Sequence, residues 1–285
     1  MKVLITGANG QVGRALQLTA PAGAQVIPTG VADLDIRDAA AVSTYVRDLG
    51  PSMIINAAAY TAVDKAETDE PEALRVNRDA VANLSGAANA HGAGFVHIST
   101  DFVFDGTRST PYPPDAAPAP ISAYGRTKFA GEQAAGNDAL IVRTSWVYAA
   151  RGSNFVLTML RLMAERDELR VIADQIGTPT LATSIAEAIW ALAGQARTGL
   201  WHHTDSGTAS WYDFAVAIQE EALSLGLLTR EVPIIPIATS GYPTPARRPQ
   251  YSVLDKSLTI AALGSTAPHW RVNLRKMLKE VLADG

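Results

Sequence analysis

Strand-like apolar runs alternate with helical stretches through the first half of the chain, and this alternation restricts the fold more than any other feature. "KVLITG" (2–7) is a short apolar run closed by glycine. The helical "QVGRALQLTA" follows, then a second strand-like run, "AQVIPTG". "AAAVSTYVRDLG" reads as a helix capped by Asp38 and ended at Gly50, and "SMIINAAA" as the next strand. A long helical pattern (70–92) places Leu74, Asn77, Val81, Leu84 and Ala88 near one face. "GFVHIST", a helix around Tyr124 and the strand "ALIVRTSWVY" complete the series. The alternation predicts an α/β fold, a parallel sheet covered by helices on both faces. Ligands of such sheets collect at the carboxyl ends of the strands.

Beyond about Ala150 the pattern loosens. Helical stretches (154–166, 183–195 and 211–225) alternate with short strands such as "LRVIAD" and "EVPIIPIAT". We read 1–150 as one domain and 151–285 as mainly a second, with some segments returning to the first. Prolines cluster at 111–120 and 243–249, which we read as ordered loops over a site.

Composition narrows the function classes. A net charge of −4 argues against nucleic acid as the main partner, because phosphate-backbone binders carry a basic surplus. The absence of cysteine removes disulfides, thiolate chemistry and cysteine-based zinc sites. No apolar run is long enough to span a bilayer, and strand-like sequence from Lys2 leaves no room for a signal peptide. The expectation is a cytoplasmic protein with neither membrane nor nucleic acid as partner.

"GANGQVG" places Gly7, Gly10 and Gly13 between the first strand and the first helix. Glycine there lets the backbone turn tightly and approach a dinucleotide pyrophosphate, and the helix N-terminus offers free N–H groups. The bland alternative is a turn that packs helix on sheet. The second strand lacks the acidic residue that grips the adenosine ribose of NAD, and Thr29 sits about there. Arg14 is in reach of a 2′-phosphate, which leans towards NADP. Asp35 and Ile36 fall in the loop after the second strand, suited to the adenine amino group and ring.

"AYGRTKFAGE" puts Tyr124 and Lys128 one helical turn apart on one face. A solvated helix face is the plain reading of that spacing alone. The pair nevertheless follows a strand that ends in Ser99, Thr100 and Asp101, and a glycine loop lies upstream. Reduction of a ketone needs a proton delivered to the developing alkoxide. An ammonium beside the phenol lowers its pKa and makes it a better acid. Ser99 or Thr100 is suited to bond the same oxygen.

Eight segments in order, "GANGQVG", "LDIRD", "INAAAYTAVDKAE", "ISTDFVFDG", "YGRTKFAGE", "RTSWVY", "DQIGTPT" and "TPARRPQYSVLD", give a resemblance over nearly the whole chain. The sequence resembles the extended short-chain dehydrogenase/reductases and, within them, the dTDP-4-dehydrorhamnose reductase family. The resemblance implies a Rossmann-type doubly wound sheet with a smaller C-terminal α/β substrate domain. It implies hydride transfer from NADPH, or NADH, to the keto group of a dTDP-4-dehydro-6-deoxy-L-hexose. Thr100, Tyr124 and Lys128 match the family's catalytic trio, with Lys128 also placed for the cofactor ribose. Gly7, Asn9, Gly10, Gln11, Val12, Asp35, Ile36, Ala57, Ala58 and Ala59 match cofactor positions. Thr61, Val63, Asp101, Phe102 and Trp146 match positions that touch the sugar, and Arg247 (with Arg248 beside it) suits the diphosphate. Asn77 matches the asparagine that often completes the superfamily's proton relay.

Two departures from the pattern matter. Phe102 stands where tyrosine is common, so a hydroxyl contact is lost. The carboxylate that some members use to dimerise around magnesium is missing, since Ala15 occupies "GRALQ". The expectation is no metal site; the resemblance still allows a homodimer. Two other functions remain open on the residues. One is a reductase of a different dTDP-4-keto-deoxysugar. The other is a non-catalytic dinucleotide-binding subunit resembling the regulatory subunit of methionine adenosyltransferase.

Overall fold

The structure, a computed structural model, describes residues 1–284. The first half runs β1 (Lys2–Thr6), α1 (Gln11–Leu18), β2 (Gln25–Thr29), α2 (Ala39–Leu49), β3 (Met53–Asn56), the short helices α3 (Val63–Ala66) and α4 (Glu70–Leu74), α5 (Ala80–Ala90), β4 (Gly94–Thr100), α6 (Ala123–Ala135) and β5 (Leu140–Thr144). The second half runs β6 (Val147–Tyr148), α7 (Phe155–Glu165), β7 (Leu169–Ile172), β8 (Ile176–Gly177), β9 (Thr180–Leu181), α8 (Ala182–Gly194), β10 (Gly199–His202), β11 (Ala209–Ser210), α9 (Trp211–Ser224), β12 (Ile234–Ile237), α10 (Ser257–Leu263) and α11 (Trp270–Asp284).

Six strands form one parallel sheet in the order β10-β5-β4-β3-β1-β2. Alternate residues of each strand feed opposite cores. Val3, Ile5, Ile55, Val96 and Val142 pack with Leu16 of α1 and Ile185 and Ile189 of α8. Leu4, Ile54, Phe95 and Ile141 pack on the other face with Val42 and Val46 of α2 and Val81 and Leu84 of α5. Both faces are buried, which is why these strands are near-continuous apolar runs. A third core lies in the second half, around Tyr148, Met163, Phe214, Ile218 and Leu274. The chain returns to the large sheet through α8 and β10, so the substructures share a seam. No helix among the described residues is long and apolar enough to cross a membrane.

Short-range chemistry fixes many element ends. Asp38 caps α2 by accepting from the Ala41 N–H, and Gly50 closes it at φ 57°. Ser122 caps α6 through Gly125, Asn154 caps α7 through Leu157, and Ser210 with Asp213 forms a capping box on α9. The proline-rich segments are tied down: Tyr112 N–H donates to Val253 O, and Asp255 N–H to Tyr112 O.

Two elements depart from the sequence reading. "ALIVRTSWVY" is not one strand. The chain turns at Trp146, a non-glycine residue at φ 46°, and β6 leaves the large sheet to pair with β9. The long helix over 70–92 is interrupted by a π-helical turn, Arg75–Asp79. Asn77 sits in that turn, buried. Its Oδ1 accepts from the Tyr60 N–H and its Nδ2 donates to Tyr60 O and Thr127 Oγ1. The π turn lets one helical residue clamp a neighbouring loop.

Candidate active site

A cavity of about 890 Å³ opens over the carboxyl ends of the large sheet. That is large enough for a dinucleotide together with part of a second ligand. The glycine loop forms one end. Gly7 has φ 68°, and a Cβ there would lie 2.4 Å from Ala58 N. At Gly13 a Cβ would lie 2.2 Å from Gly7 O. These glycines therefore pack loop, helix and β3 end together. Gly10 is the N-cap of α1 and supplies no side-chain cap, so the first N–H groups of α1 face the cavity unclaimed by a capping side chain. The end of β2 carries Thr29, Gly30 and Val31, with no carboxylate but Asp33, which accepts from the Gly30 N–H. Arg14 is exposed and its Nε donates to Asn9 O.

Gly7, Asn9, Gly10, Gln11, Val12, Asp35, Ile36, Ala57, Ala58, Ala59, Thr61, Val63, Thr100, Asp101, Phe102, Tyr124, Lys128 and Trp146 all line this one cavity. Arg247 does not; it is exposed on the proline-rich loop. Its neighbour Arg248 is engaged with both oxygens of Asp64 at 3.1 and 2.8 Å. Asp35 is gripped by Arg37, which holds its carboxyl down at about 2. Asn77 is absent from the lining, its amide being consumed by Tyr60 and Thr127.

At the far end of β4, Thr100 Oγ1 donates to Asp101 Oδ1 at 3.0 Å and accepts from the Phe102 N–H. The Phe102 ring meets Tyr124 edge-on, with centroids 5.5 Å apart. Tyr124 reverses the sequence expectation about acidity. Burial pushes its phenol up to about 12, with Thr100's hydroxyl opposing and Asp101's charge assisting. Lys128 bears the matching cost, since burial pushes its ammonium down to about 8 while Glu132 opposes. Its Nζ donates to Ile98 O at 2.7 Å. Asp101 is raised to about 6 by burial, against hydrogen bonds from Ser252 and Thr100, and its Oδ2 has no partner.

Sequence reasoning missed Trp211. Its indole lies 3.6 Å from that of Trp146, nearly parallel, and both line the cavity. Gly177 lies against the Trp146 ring, where a Cβ would come within 2.5 Å. Trp211 is the first residue of α9, and no local pattern distinguishes it from an ordinary helix start. Ser145, Gly152 and Ser153 also line the cavity unannounced. Among the described residues no group of three or more His, Asp or Glu is placed to hold a metal ion.

A glycine-loop parallel sheet whose cavity holds a half-buried tyrosine and a buried lysine defines a dinucleotide-binding α/β protein of the short-chain dehydrogenase/reductase type. The comparisons narrow this. The family model described as "RmlD substrate binding domain" matches residues 1–283, and the chain belongs to that family. It is 43% identical to a dTDP-4-dehydrorhamnose reductase of Burkholderia thailandensis, covering 99% of this chain and 100% of that one. A solved dTDP-4-dehydrorhamnose reductase of Clostridium acetobutylicum superposes with TM-score 0.93 at 39% identity, over 99% and 100% of the two chains. The Bacillus anthracis enzyme, solved in complex with NADP, gives 0.92 at 37% identity over 98% and 99%.

Proposed function

We propose that this protein reduces the 4-keto group of dTDP-4-dehydro-6-deoxy-L-mannose, yielding dTDP-L-rhamnose, with NADPH as hydride source. The observation that carries this reading is the single cavity joining the glycine loop to Thr100, Tyr124 and Lys128. NADPH, when bound, supplies the hydride. The α1 N-terminus and Gly7–Val12 hold the pyrophosphate, and Ala57–Ala59 offer close backbone beside the dinucleotide. Gly30 and Val31, in place of a carboxylate, leave room for a 2′-phosphate. Tyr124 keeps its proton at neutral pH and gives it to the C4 oxygen as that oxygen becomes an alkoxide. Lys128 balances the phenolate so formed and holds the cofactor ribose. Thr100 orients the same oxygen. The unpartnered Asp101 Oδ2 is a ready acceptor for a sugar hydroxyl, with Thr61, Val63, Phe102 and Trp146 shaping the sugar subsite. Arg247 swings in to the diphosphate from its exposed loop.

The test is turnover. Purified protein given the keto sugar and NADPH consumes the cofactor, and Tyr124→Phe lowers kcat by roughly 10²–10⁴-fold. No turnover of any nucleotide keto sugar sinks the proposal.

A further inference from the structure

Behind Lys128 lies a polar chain that the proposed chemistry does not use. It runs sideways through the sheet on three residues in register, Thr6 on β1, Asn56 on β3 and His97 on β4. Asn56 and His97 are fully buried. Thr6 Oγ1 donates to Asn56 Oδ1 at 2.8 Å, and the Ala58 N–H donates to the same oxygen at 3.1 Å. A backbone N–H can only donate, so the identity of Asn56 Oδ1 is settled by its neighbours. Its Nδ2, 3.2 Å from His97 Nδ1, must then be the donor. Nδ1 is an acceptor and carries no proton. A neutral imidazole has one proton, which falls on Nε2. Nε2 is 3.5 Å from Lys128 Nζ.

The arrangement sets a donor against a donor. An ammonium at Lys128 finds no lone pair on the ring. A neutral amine does better, because its lone pair accepts from Nε2–H. We propose that Asn56 locks His97 as its Nε2–H tautomer and so makes His97 a positioning residue for the Tyr124–Lys128 pair, weakening Lys128's hold on its proton and setting the pH at which the pair works. This rests on the reductase reading of the site.

Burial already weakens Lys128's hold on its proton, and none of the other charged groups around it adds to that. On α6, Tyr124 keeps its proton, burial raising its phenol, and Glu132 draws the lysine's proton inward, opposing the shift. On β5, Arg143 pairs with Glu132 at 2.7 Å. Asp101, at the end of β4, bonds Thr100. In α3's cap, Glu67 accepts from the Ala123 N–H. The charges of α4 and the π turn are surface pairs, Glu70 with Arg126, Glu72 with Arg75 and Arg37, and Arg78 with Asp79. Burial and Lys128's charge both push His97 well below its ordinary value, so the ring stays neutral.

The experiment is NMR of the full-length protein carrying ¹⁵N-histidine and ¹³C-lysine, beside the pH profile of kcat. Wild-type His97 should show an unprotonated Nδ1 and a protonated Nε2 that do not titrate from mildly acid to mildly alkaline pH. Asn56→Asp keeps two acceptors for Thr6 and Ala58 but offers His97 an acceptor, moving the ring proton to Nδ1. Nε2 then accepts from Lys128. The Lys128 titration and the alkaline limb of kcat should both move up by about one pH unit or more, a tenfold change. Asn56→Leu, which takes the donor from Nδ1 without adding a charge, separates the tautomer's effect from that of the new carboxylate and should give a shift of the same sign. His97→Gln keeps a donor towards Lys128 and an acceptor towards Asn56, and should leave both within about half a unit. A wild-type ring protonated on Nδ1, a swapped tautomer with no shift, or the full upward shift in His97→Gln each overturn the proposal. If the protein proves not to be a reductase, the kcat arm falls silent, while the tautomer and the lysine titration still decide this inference.

Discussion

Two buried polar rungs stand side by side on one face of β4, two residues apart. His97 faces Lys128 of α6, and Ser99 faces Glu132 one helical turn further on. In the second rung every demand is met. Glu132 accepts from Ser99 Oγ at 2.5 Å and from Arg143 Nε and Nη2 at 2.8 and 2.7 Å, and the Arg143 guanidinium lies 4.9 Å over the Phe104 ring. In the first rung a buried ammonium has a carbonyl on one side and an imidazole N–H on the other. The same strand, helix and depth thus yield a satisfied ion pair and a strained cation. Of the charged side chains in the two rungs, Lys128 lines the cavity and Glu132 and Arg143 do not. Satisfaction marks the structural rung and its absence marks the functional one.

The sharpest way to break the contrast is Arg143→Met, which leaves Glu132 charged and without its counter-ion. We expect a loss of roughly 3–5 kcal/mol in denaturant unfolding; a loss under about 1 kcal/mol would show that this rung is no anchor. Lys128→Met should do the opposite, abolishing turnover while stabilising the fold at neutral pH by about 1–3 kcal/mol. The sign follows from the depressed folded value of about 8, below the ordinary lysine value of 10.5. Between those values the unfolded wild type binds more protons than the folded one, so wild-type stability rises with pH. The mutant's advantage is therefore full below about 8 and fades towards 10.5, which melting curves at several pH values would check. Ser99→Ala removes one of three bonds to Glu132 and should cost about 1–2 kcal/mol in denaturant unfolding. Smallest is Arg126→Ala on the wet face of α6. Its pair with Glu70 is half exposed, and unfolding should shift by under about 1 kcal/mol.

The sequence made one side of this contrast legible. Glycines after a strand, hydroxyls at a strand end and a tyrosine one turn from a lysine are local signals, and together with the family resemblance they led to 18 lining positions of one cavity. What stayed hidden depends on register. His97 reads as an ordinary strand residue until β3 and β4 pair and set it beside Asn56. Glu132 reads as plain helix until β5 brings Arg143 across. Trp146 looks like mid-strand because nothing nearby announces φ 46°; its turn is imposed by packing on Gly177 and Trp211, distant in sequence. Tyr124 went the other way. The Tyr–Lys spacing predicted a lowered phenol, but burial, which no local spacing encodes, raises it.

The Trp146–Trp211 stack has one further consequence. Two indoles held 3.6 Å apart and 7° from parallel are electronically coupled chromophores. Their joint signal depends steeply on separation and tilt, and both stand in the cavity wall. The protein therefore carries its own optical gauge. Any ligand that wedges or tilts either ring rewrites the near-ultraviolet circular dichroism and tryptophan emission, with no label added and no reaction required.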